Sequence, residues 1–202
     1  MKLYYAPGAC SLASHIALHE TGLPFEIDKL NVPTKTTASG EDFMQINPKG
    51  YVPAIRLDDG GILTEGAAIL QYIADRKPAS GLAPEAGTMA RYRLQEWLTF
   101  IGTEIHKSFS PLFSKTVSDE VKNHAHKLLA KRLGYVEAQL ADKPYLMGDS
   151  FTVADAYLFV VASWSNHVGF DLGQFPRIRE YMARIAARPA TQAAMKAEGL
   201  IQ

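Results

Sequence analysis

The only cysteine of this 202-residue chain, Cys10, lies where a reactive sulfur would be expected. It follows a strand-like run, Lys2 to Tyr5, and a Pro-Gly turn, and it lies at the start of a helical pattern, Ala9 to Glu20. Backbone N–H groups and the positive end of the helix dipole stabilise a thiolate there and lower the thiol pKa below its usual value of about 8.5. The alternative is a small buried apolar residue, and position alone does not choose between the two.

A second candidate site begins at Glu65 and Gly66, which open a predicted helix that ends before Lys77. Backbone N–H groups at a helix start bind a ligand carboxylate, and the Glu65 carboxylate can bind an ammonium group. The pair therefore suits a ligand that carries both groups. The alternative is that Glu65 only complements the helix dipole.

A third candidate is a stripe of small and polar residues on an otherwise apolar helix, predicted over Thr88 to about Phe109. Thr99, Gly102, Thr103 and His106 recur at helical spacing and share one face. Such a face can line a crevice and present the imidazole to a ligand. A lone histidine is otherwise usually a satisfied core or surface residue.

Val52, Pro53 and Lys35 have plain structural interpretations as well as functional ones. Val52 and Pro53 precede a predicted strand, where proline fits at a strand start or after a cis bond. By themselves they indicate a turn before a strand. Lys35 follows the second predicted strand in a polar loop, where a lysine is usually solvated.

The elements that must position these residues alternate strand and helix in the order β-α-β-α-β-β-α. They are predicted as a strand at Lys2 to Tyr5, a helix at Ala9 to Glu20 closed by Gly22, a strand at Phe25 to Leu30, a short helix at Glu41 to Ile46, strands at Ala54 to Leu57 and Ile62 to Leu63, and a helix from Glu65. Residues 78–86 have the composition of a linker, so we predict an α/β domain over residues 1–77.

Residues 87–202 are predicted to form an all-helical domain. Periodic apolar residues predict helices at Thr88 to about Phe109, at Asp119 to Leu140 and behind Pro176. Thr152 and Asp155 form a variant capping box before an apolar run, and we predict a folding role for the pair. The helix after this box is apolar almost all round and is predicted to form the domain core.

Composition argues against several function classes. Lys and Arg total 21, as do Asp and Glu, and no basic run alternates with aromatic residues, which disfavours nucleic-acid and anionic-membrane binding. The N-terminal residues lack the apolar core of a signal peptide, and the longest apolar run, Tyr157 to Ala162, is far shorter than the roughly 20 residues of a membrane span. One cysteine cannot form an internal disulfide, so we predict a cytoplasmic protein.

The order of these elements resembles the cytosolic glutathione transferases over essentially the whole chain. The motifs that carry the resemblance are Gly50-Tyr51-Val52-Pro53-Ala54, Thr64-Glu65-Gly66-Ala67-Ala68-Ile69 and the Gly148 to Asp155 segment. Cys10 and His106 resemble the bacterial beta class in particular. The resemblance implies a thioredoxin-like first domain that binds glutathione, a second domain that supplies most of an electrophile pocket, and a homodimer.

The resemblance also implies a role for each candidate residue of the first domain. The Val52 N–H and C=O would pair with the cysteinyl part of glutathione, ahead of a cis Pro53. Glu65 and Gly66 would hold the γ-glutamyl end, and Lys35 would contact the glycyl carboxylate. Gly66 stands where Ser is frequent in the family, which removes a hydroxyl donor and leaves the backbone N–H.

In the second domain, the resemblance implies that His106 donates a hydrogen bond to the glutathione sulfur, close to Cys10. Glu104 lies on a different face of the helix and would reach glutathione in the neighbouring subunit. Thr99 stands where Asn is expected in this class, and Thr103 is its neighbour in the polar stripe.

Glutathione conjugation to small electrophiles, without a metal, is therefore the leading functional hypothesis. A second hypothesis makes Cys10 the nucleophile of a monothiol thiol transferase, peroxidase or reductive dehalogenase, since the chain lacks the second cysteine of a dithiol centre. A third is a noncatalytic binding protein on the same fold. Phe109, Phe113 and Trp164 are generic apolar pocket residues that do not identify the electrophile.

Overall fold

The computed structural model describes all residues, 1–202. The chain folds into two compact units. The first unit comprises residues 1–83 together with residues 187–202, and the second comprises residues 84–186. None of the helices is long and apolar enough to cross a membrane.

A five-stranded mixed sheet forms the centre of the first unit, in the order β3-β2-β1-β4-β5. Its strands are β1 (Lys2–Tyr5), β2 (Glu26–Asn31), β3 (Thr36–Thr37), β4 (Ala54–Arg56) and β5 (Ile62–Thr64). β2 runs parallel to β1, whereas β4 is antiparallel to both β1 and β5. The register pairs Ala54 with Tyr4 on one side and with Thr64 on the other, so the chain before β4 and the chain after β5 meet at one end of the sheet.

The first unit also contains α1 (Ser11–Thr21), α2 (Phe43–Ile46), α3 (Gly66–Arg76) and α10 (Pro189–Ala197). α1 packs against α3 and α10, and the apolar side chains of β1 are buried. Gly22 ends α1 in the left-handed conformation (φ 64°), as its position predicts. The predicted element order is confirmed, with one short strand added, because Thr36 and Thr37 pair with β2 inside the stretch predicted as a loop.

The C-terminal segment differs from the predicted domain division, which assigned residues 87–202 to the helical domain. α10 packs along α1, and its inward residues Thr191 and Ala194 are fully buried. Arg188, which precedes α10, forms a bidentate ion pair with Glu20 at the end of α1. Residues 187–202 therefore complete the first unit, a long-range association that helical periodicity cannot predict.

The second unit is helical. Its helices are α4 (Met89–Phe100), α5 (Lys107–Phe113), α6 (Asp119–Gln139), α7 (Val153–Ser163), α8 (Ser165–Val168) and α9 (Pro176–Ala186), and a π-helical segment, Ile101–His106, joins α4 to α5. Residues 153–162 of α7 are all buried, which confirms that this helix is the core of the unit. Thr152 and Asp155 form the predicted capping box at its start.

Candidate active site

Cys10 is the N-cap residue of α1, so its thiol lies at the helix N-terminus that the sequence predicts. The Sγ atom is 3.3 Å from the Val52 carbonyl oxygen, to which the thiol donates. The turn before it is closed by hydrogen bonds from Ala9 N to Ala6 O and from Ala6 N to the Ser11 hydroxyl. This arrangement joins the first helix to the segment before β4.

Residues 50–53 form that segment, which we call the pre-β4 segment. The Val52–Pro53 peptide bond is cis, as the family resemblance implies. Lys35 donates through Nζ to the Gly50 carbonyl oxygen at 2.7 Å. Lys35 therefore lies beside the pre-β4 segment as well, although the two are far apart in sequence.

Glu65 is the N-cap residue of α3 and contacts the same segment from the other side. Its Oε1 atom accepts from the Tyr51 hydroxyl at 2.8 Å and from Lys49 Nζ at 2.5 Å. These hydrogen bonds to the carboxylate raise the pKa values of Lys49 and Tyr51. An ammonium group already lies against the Glu65 carboxylate, so the side chain is oriented to bind one.

The sequence interpretation missed Lys49 and Tyr51, because their contact with Glu65 depends on how two separate loops meet. Their position immediately before the Val52-Pro53 pair was the available signal. Gly66 follows Glu65, and a Cβ atom at Gly66 would lie 3.8 Å from Pro53 Cγ, an ordinary contact distance. All the first-unit candidates thus converge on residues 49–53.

Backbone conformation marks two of these residues independently. Lys35 (φ 55°) and Glu65 (φ 70°) are the non-glycine residues of the chain with positive φ. Such conformations cost roughly 1–3 kcal/mol each and cluster at ligand sites, where the surrounding structure holds them in place. The strain therefore coincides with two residues to which the family resemblance assigns glutathione contacts.

His106 ends the π-helical segment of the second unit. Its Nδ1 atom is 2.7 Å from the Tyr157 hydroxyl, and its ring packs edge-on against Trp164 with centroids 4.8 Å apart. Burial, with a smaller contribution from the Lys107 charge, lowers the His106 pKa to about 4. The imidazole is therefore neutral at neutral pH, with one nitrogen protonated and the other an acceptor.

The hydrogen bond with Tyr157 affects which ring nitrogen of His106 carries the proton. If its hydroxyl donates to Nδ1, the neutral ring must carry its proton on Nε2, which then becomes a hydrogen-bond donor. The sequence interpretation treated Tyr157 only as part of an apolar run. The contact joins Tyr157 of α7 to a residue 51 positions earlier in the chain, so no local sequence pattern predicts it.

The predicted polar stripe divides in the structure. Gly102 and His106 face Tyr157, whereas Thr99 and Thr103 are exposed, and the Thr103 hydroxyl bonds to the Thr99 carbonyl oxygen. The stripe prediction was wrong in this respect, because a π-helix bonds each N–H to the fifth residue back, so α-helical spacing no longer holds.

Glu104 lies on another face of the same segment. It pairs with Arg132 of α6 at 2.5 Å, whereas His106 contacts α7, so the two side chains diverge as predicted. The implied contact of Glu104 with a ligand in a neighbouring subunit stays a prediction. Among the described residues, no group of three or more His, Cys, Asp or Glu side chains is arranged to hold a metal ion.

Comparison with known proteins agrees with these observations. Residues 8–76 match the family model for the glutathione S-transferase N-terminal domain, and residues 100–189 match that for the C-terminal domain. The glutathione S-transferase GstA of Escherichia coli O157:H7 is 46% identical over 200 residues, which cover 99% of this chain and 100% of the relative. The chain belongs to the glutathione S-transferase family.

Solved structures refine this placement within the glutathione S-transferase family. The bacterial beta-class enzyme of Sphingomonas chungbukensis superposes with a TM-score of 0.96 at 50% identity, covering 100% of both chains. A sphingomonad glutathione S-transferase solved in complex with glutathione matches with the same values. The predicted resemblance to the bacterial beta class is confirmed.

Proposed function

We propose that this glutathione transferase binds glutathione along the pre-β4 segment and conjugates its sulfur to electrophilic small molecules. The observation that carries the proposal is the convergence of Cys10, Lys35 and Glu65 on residues 50–53 through three separate hydrogen bonds. Each contact supplies the chemistry that one part of glutathione needs. A related sphingomonad enzyme was solved with glutathione, which supports the same ligand here.

The charged ends of the tripeptide are recognised by opposite charges in this scheme. Lys35 donates to Gly50 but its ammonium group has three donors, so it can keep that bond and also bind the glycyl carboxylate. The Glu65 carboxylate binds the γ-glutamyl ammonium group and also accepts hydrogen bonds from Lys49 and Tyr51. The backbone N–H of Gly66, at the start of α3, binds the γ-glutamyl carboxylate.

The Val52 backbone holds the middle of the tripeptide in strand fashion. Its carbonyl oxygen already accepts from the Cys10 thiol, and a carbonyl has two lone pairs, so it can accept the cysteinyl N–H as well. Pro53 immediately precedes β4 and has no backbone N–H to donate. The cysteinyl sulfur is thereby directed to the α1 N-terminus.

Catalysis in this proposal raises the population of thiolate. The glutathione thiol loses its proton to solvent, and the α1 N-terminus stabilises the resulting charge. The Cys10 S–H, which donates to the Val52 carbonyl oxygen in the structure, turns to donate to this sulfur instead. We assign to the neutral His106 a hydrogen bond from its N–H to the sulfur. The thiolate then forms an S–C bond with the electrophile, which releases its leaving group with the bonding pair.

We further propose that the protein acts as a homodimer in the cytoplasm. Met89 and Tyr92 are large apolar residues on one face of α4, and they are 69% and 56% exposed in the single chain. A second copy that covers this face, where Thr99 and Thr103 continue, would account for the exposure. Sedimentation equilibrium that finds only monomer at micromolar concentration would contradict this assignment.

Calorimetric titration with reduced glutathione tests the proposed function. We expect the wild-type protein to bind, and Glu65→Gln to raise the dissociation constant about tenfold, because it replaces a charge-assisted hydrogen bond with a neutral one. Asp58→Asn is the matched control, since Asp58 is an exposed carboxylate of the same unit that pairs with the N-terminal ammonium group. Absence of binding by the wild type would overturn the proposal, and equal weakening by both variants would overturn the role of Glu65.

Gly66→Ser is expected to tighten glutathione binding about threefold to tenfold. The Cβ atom fits without displacing Pro53. The hydroxyl is expected to add one donor to a ligand carboxylate, a gain of about 1 kcal/mol. Gly66→Ala separates this effect from the stiffening of the helix start, because it adds the Cβ atom without the hydroxyl. Dissociation constants that are equal for the serine and alanine variants would show that the hydroxyl makes no contact.

A further inference from the structure

A buried carboxylate near the C-terminus contacts the chain on both sides of Cys10. The Glu198 side chain is fully buried, with 0% exposure. Its Oε1 atom is 2.9 Å from His15 Nδ1, and its Oε2 atom accepts from the backbone N–H of Gly8 at 2.9 Å. One side chain therefore joins the turn before Cys10 to the helix after it.

Burial of this carboxylate is costly unless its oxygens are paired. Removing a carboxylate from water costs several kcal/mol even after the protein relaxes, and hydrogen bonds must offset that penalty. Both oxygens of Glu198 have a donor in this arrangement.

The surroundings of Glu198 restrict how the turn can move. His15 stacks on His19, with centroids 5.0 Å apart, and both rings pack edge-on against Phe25. Tyr5, at the end of β1, faces the same carboxylate, and burial followed by the Glu198 charge raises the Tyr5 pKa. Leu200 covers Gly8 from outside, since its Cδ2 atom lies 3.5 Å from where a Gly8 Cβ would be.

Gly8 adopts the left-handed conformation in this turn. Its φ of 69° is a left-handed conformation that glycine adopts without cost, so glycine itself does little to fix the turn. Two residues later, Cys10 must place Sγ against the Val52 carbonyl oxygen and the α1 N-terminus. The hydrogen bond that Glu198 accepts from the Gly8 N–H adds a restraint to the Ala9–Ala6 and Ala6–Ser11 hydrogen bonds that close the turn.

We propose that Glu198 is a positioning residue for Cys10, acting through the Gly8 N–H and His15 to hold the thiol at the start of α1. The C-terminal segment is then part of the catalytic apparatus without touching substrate. The catalytic consequence rests on the proposed function, whereas the effect on the thiol itself does not. Glu198 should therefore control the reactivity of Cys10 even when glutathione is absent.

Alkylation of Cys10 by iodoacetamide tests this directly, because the chain has no other cysteine and intact mass reports this site alone. The rate constant is measured between about pH 5 and pH 10 for the wild type and for Glu198→Gln and Glu198→Asp. We expect both variants to react about threefold to tenfold more slowly near pH 7 and to reach half-maximal rate at higher pH, since a displaced thiol is less stabilised as thiolate.

The two variants separate position from charge. Glutamine keeps the side-chain length but has only one acceptor oxygen, and aspartate keeps the charge but is too short to reach both donors. If Glu198 acted only through its charge, removing it would make Cys10 more reactive in Glu198→Gln and leave Glu198→Asp unchanged. That pattern would overturn the proposal.

Glu20→Gln is the matched control for general loosening of the C-terminal segment. Glu20 also lies on α1 and bonds to the start of α10 through Arg188, but at the end of α1 away from Cys10. Its alkylation profile should match the wild type, and a change equal to that of the Glu198 variants would overturn the proposal.

Leu200→Ala provides a second test if the Glu198 variants fail to fold. It changes a 39% exposed residue, leaves Glu198 in place and should also slow the alkylation of Cys10.

The outcomes for glutathione binding are independent of this result. If the wild type does not bind glutathione but the Glu198 variants still alkylate slowly, the proposed function fails and the positioning role stands. If glutathione binds and alkylation is the same in every variant, the function stands and the positioning role fails.

Discussion

Asp155→Ala is expected to lower the free energy of unfolding by about 3–5 kcal/mol, the largest stability change we predict for a single substitution. The Asp155 side chain is completely buried in the core of the second unit. It accepts hydrogen bonds from Leu146 N, from both the N–H and the hydroxyl of Thr152, and from the Tyr181 hydroxyl. Alanine would leave these buried donors unpaired.

This expectation exceeds the value of an isolated helix cap, which is about 1 kcal/mol. The difference comes from Leu146 and Tyr181, which lie outside the capping box and have no sequence relation to it. Asp155 thus connects the loop before α7, the first turn of α7 and helix α9. Equilibrium unfolding in urea, followed by circular dichroism, measures the change.

Asp171→Ala is the control for Asp155→Ala, since Asp171 is an exposed turn residue that accepts from Gly173 N. We expect that control to change stability by less than about 1 kcal/mol. Asp155→Asn should fall between the two, because it keeps the volume and one acceptor oxygen. Equal destabilisation by Asp155→Ala and Asp171→Ala would contradict the network.

His106→Ala is expected to lower kcat for conjugation about 100-fold while changing the KM for glutathione little. A single preorganised donor to a developing charge contributes about this much in other enzymes. Because burial lowers the His106 pKa to about 4, the ring is a neutral donor throughout the working range. Steady-state rates with 1-chloro-2,4-dinitrobenzene, followed by absorbance, measure the effect.

Two companion variants identify the cause of the loss in His106→Ala. Tyr157→Phe removes only the hydroxyl that orients the imidazole, and should lower kcat about tenfold with an unchanged fold. His124→Ala, on the exposed surface of α6, should leave kcat unchanged. A kcat that stays at the wild-type level in His106→Ala would exclude a role for the imidazole in catalysis.

The low pKa of His106 also makes a prediction about stability. The unfolded ring titrates near pH 6.5 and the folded ring near pH 4, so between these values the unfolded chain binds more protons. His106 therefore makes the protein lose stability as pH falls from about 6.5 to about 4. His106→Gln should flatten this part of the stability profile in urea unfolding, whereas a slope equal to that of the wild type would contradict the buried neutral state.

Residues whose role depends on local chain direction could be predicted from the sequence. Cys10 follows a strand and a Pro-Gly turn, which is enough to place it at a helix start. Thr152 and Asp155 are three apart before an apolar run, and this spacing alone specifies a capping box. In both cases the neighbouring residues in the sequence are sufficient for the prediction.

Features that depend on contacts between distant segments could not be predicted in this way. The pairing of Lys49 and Tyr51 with Glu65 requires the chain before β4 to meet the start of α3. The π-helical segment that ends at His106 has no simple sequence signal, so the sequence analysis wrongly placed Thr99 and Thr103 on the same face as His106. Glu198 is separated from His15 by 183 residues, and no periodicity connects them.

The return of the C-terminal segment to the first unit has a consequence for synthesis of the protein. A ribosome makes residues 1–83 well before residues 187–202, so the first unit cannot be completed until the whole of the second unit, residues 84–186, has been synthesised. The second unit has all of its residues earlier and can fold before the first is finished. A chain truncated before residue 198 would lack the hydrogen bonds that Glu198 accepts from Gly8 and His15, so under the proposed positioning role its Cys10 should react more slowly than that of the intact first unit.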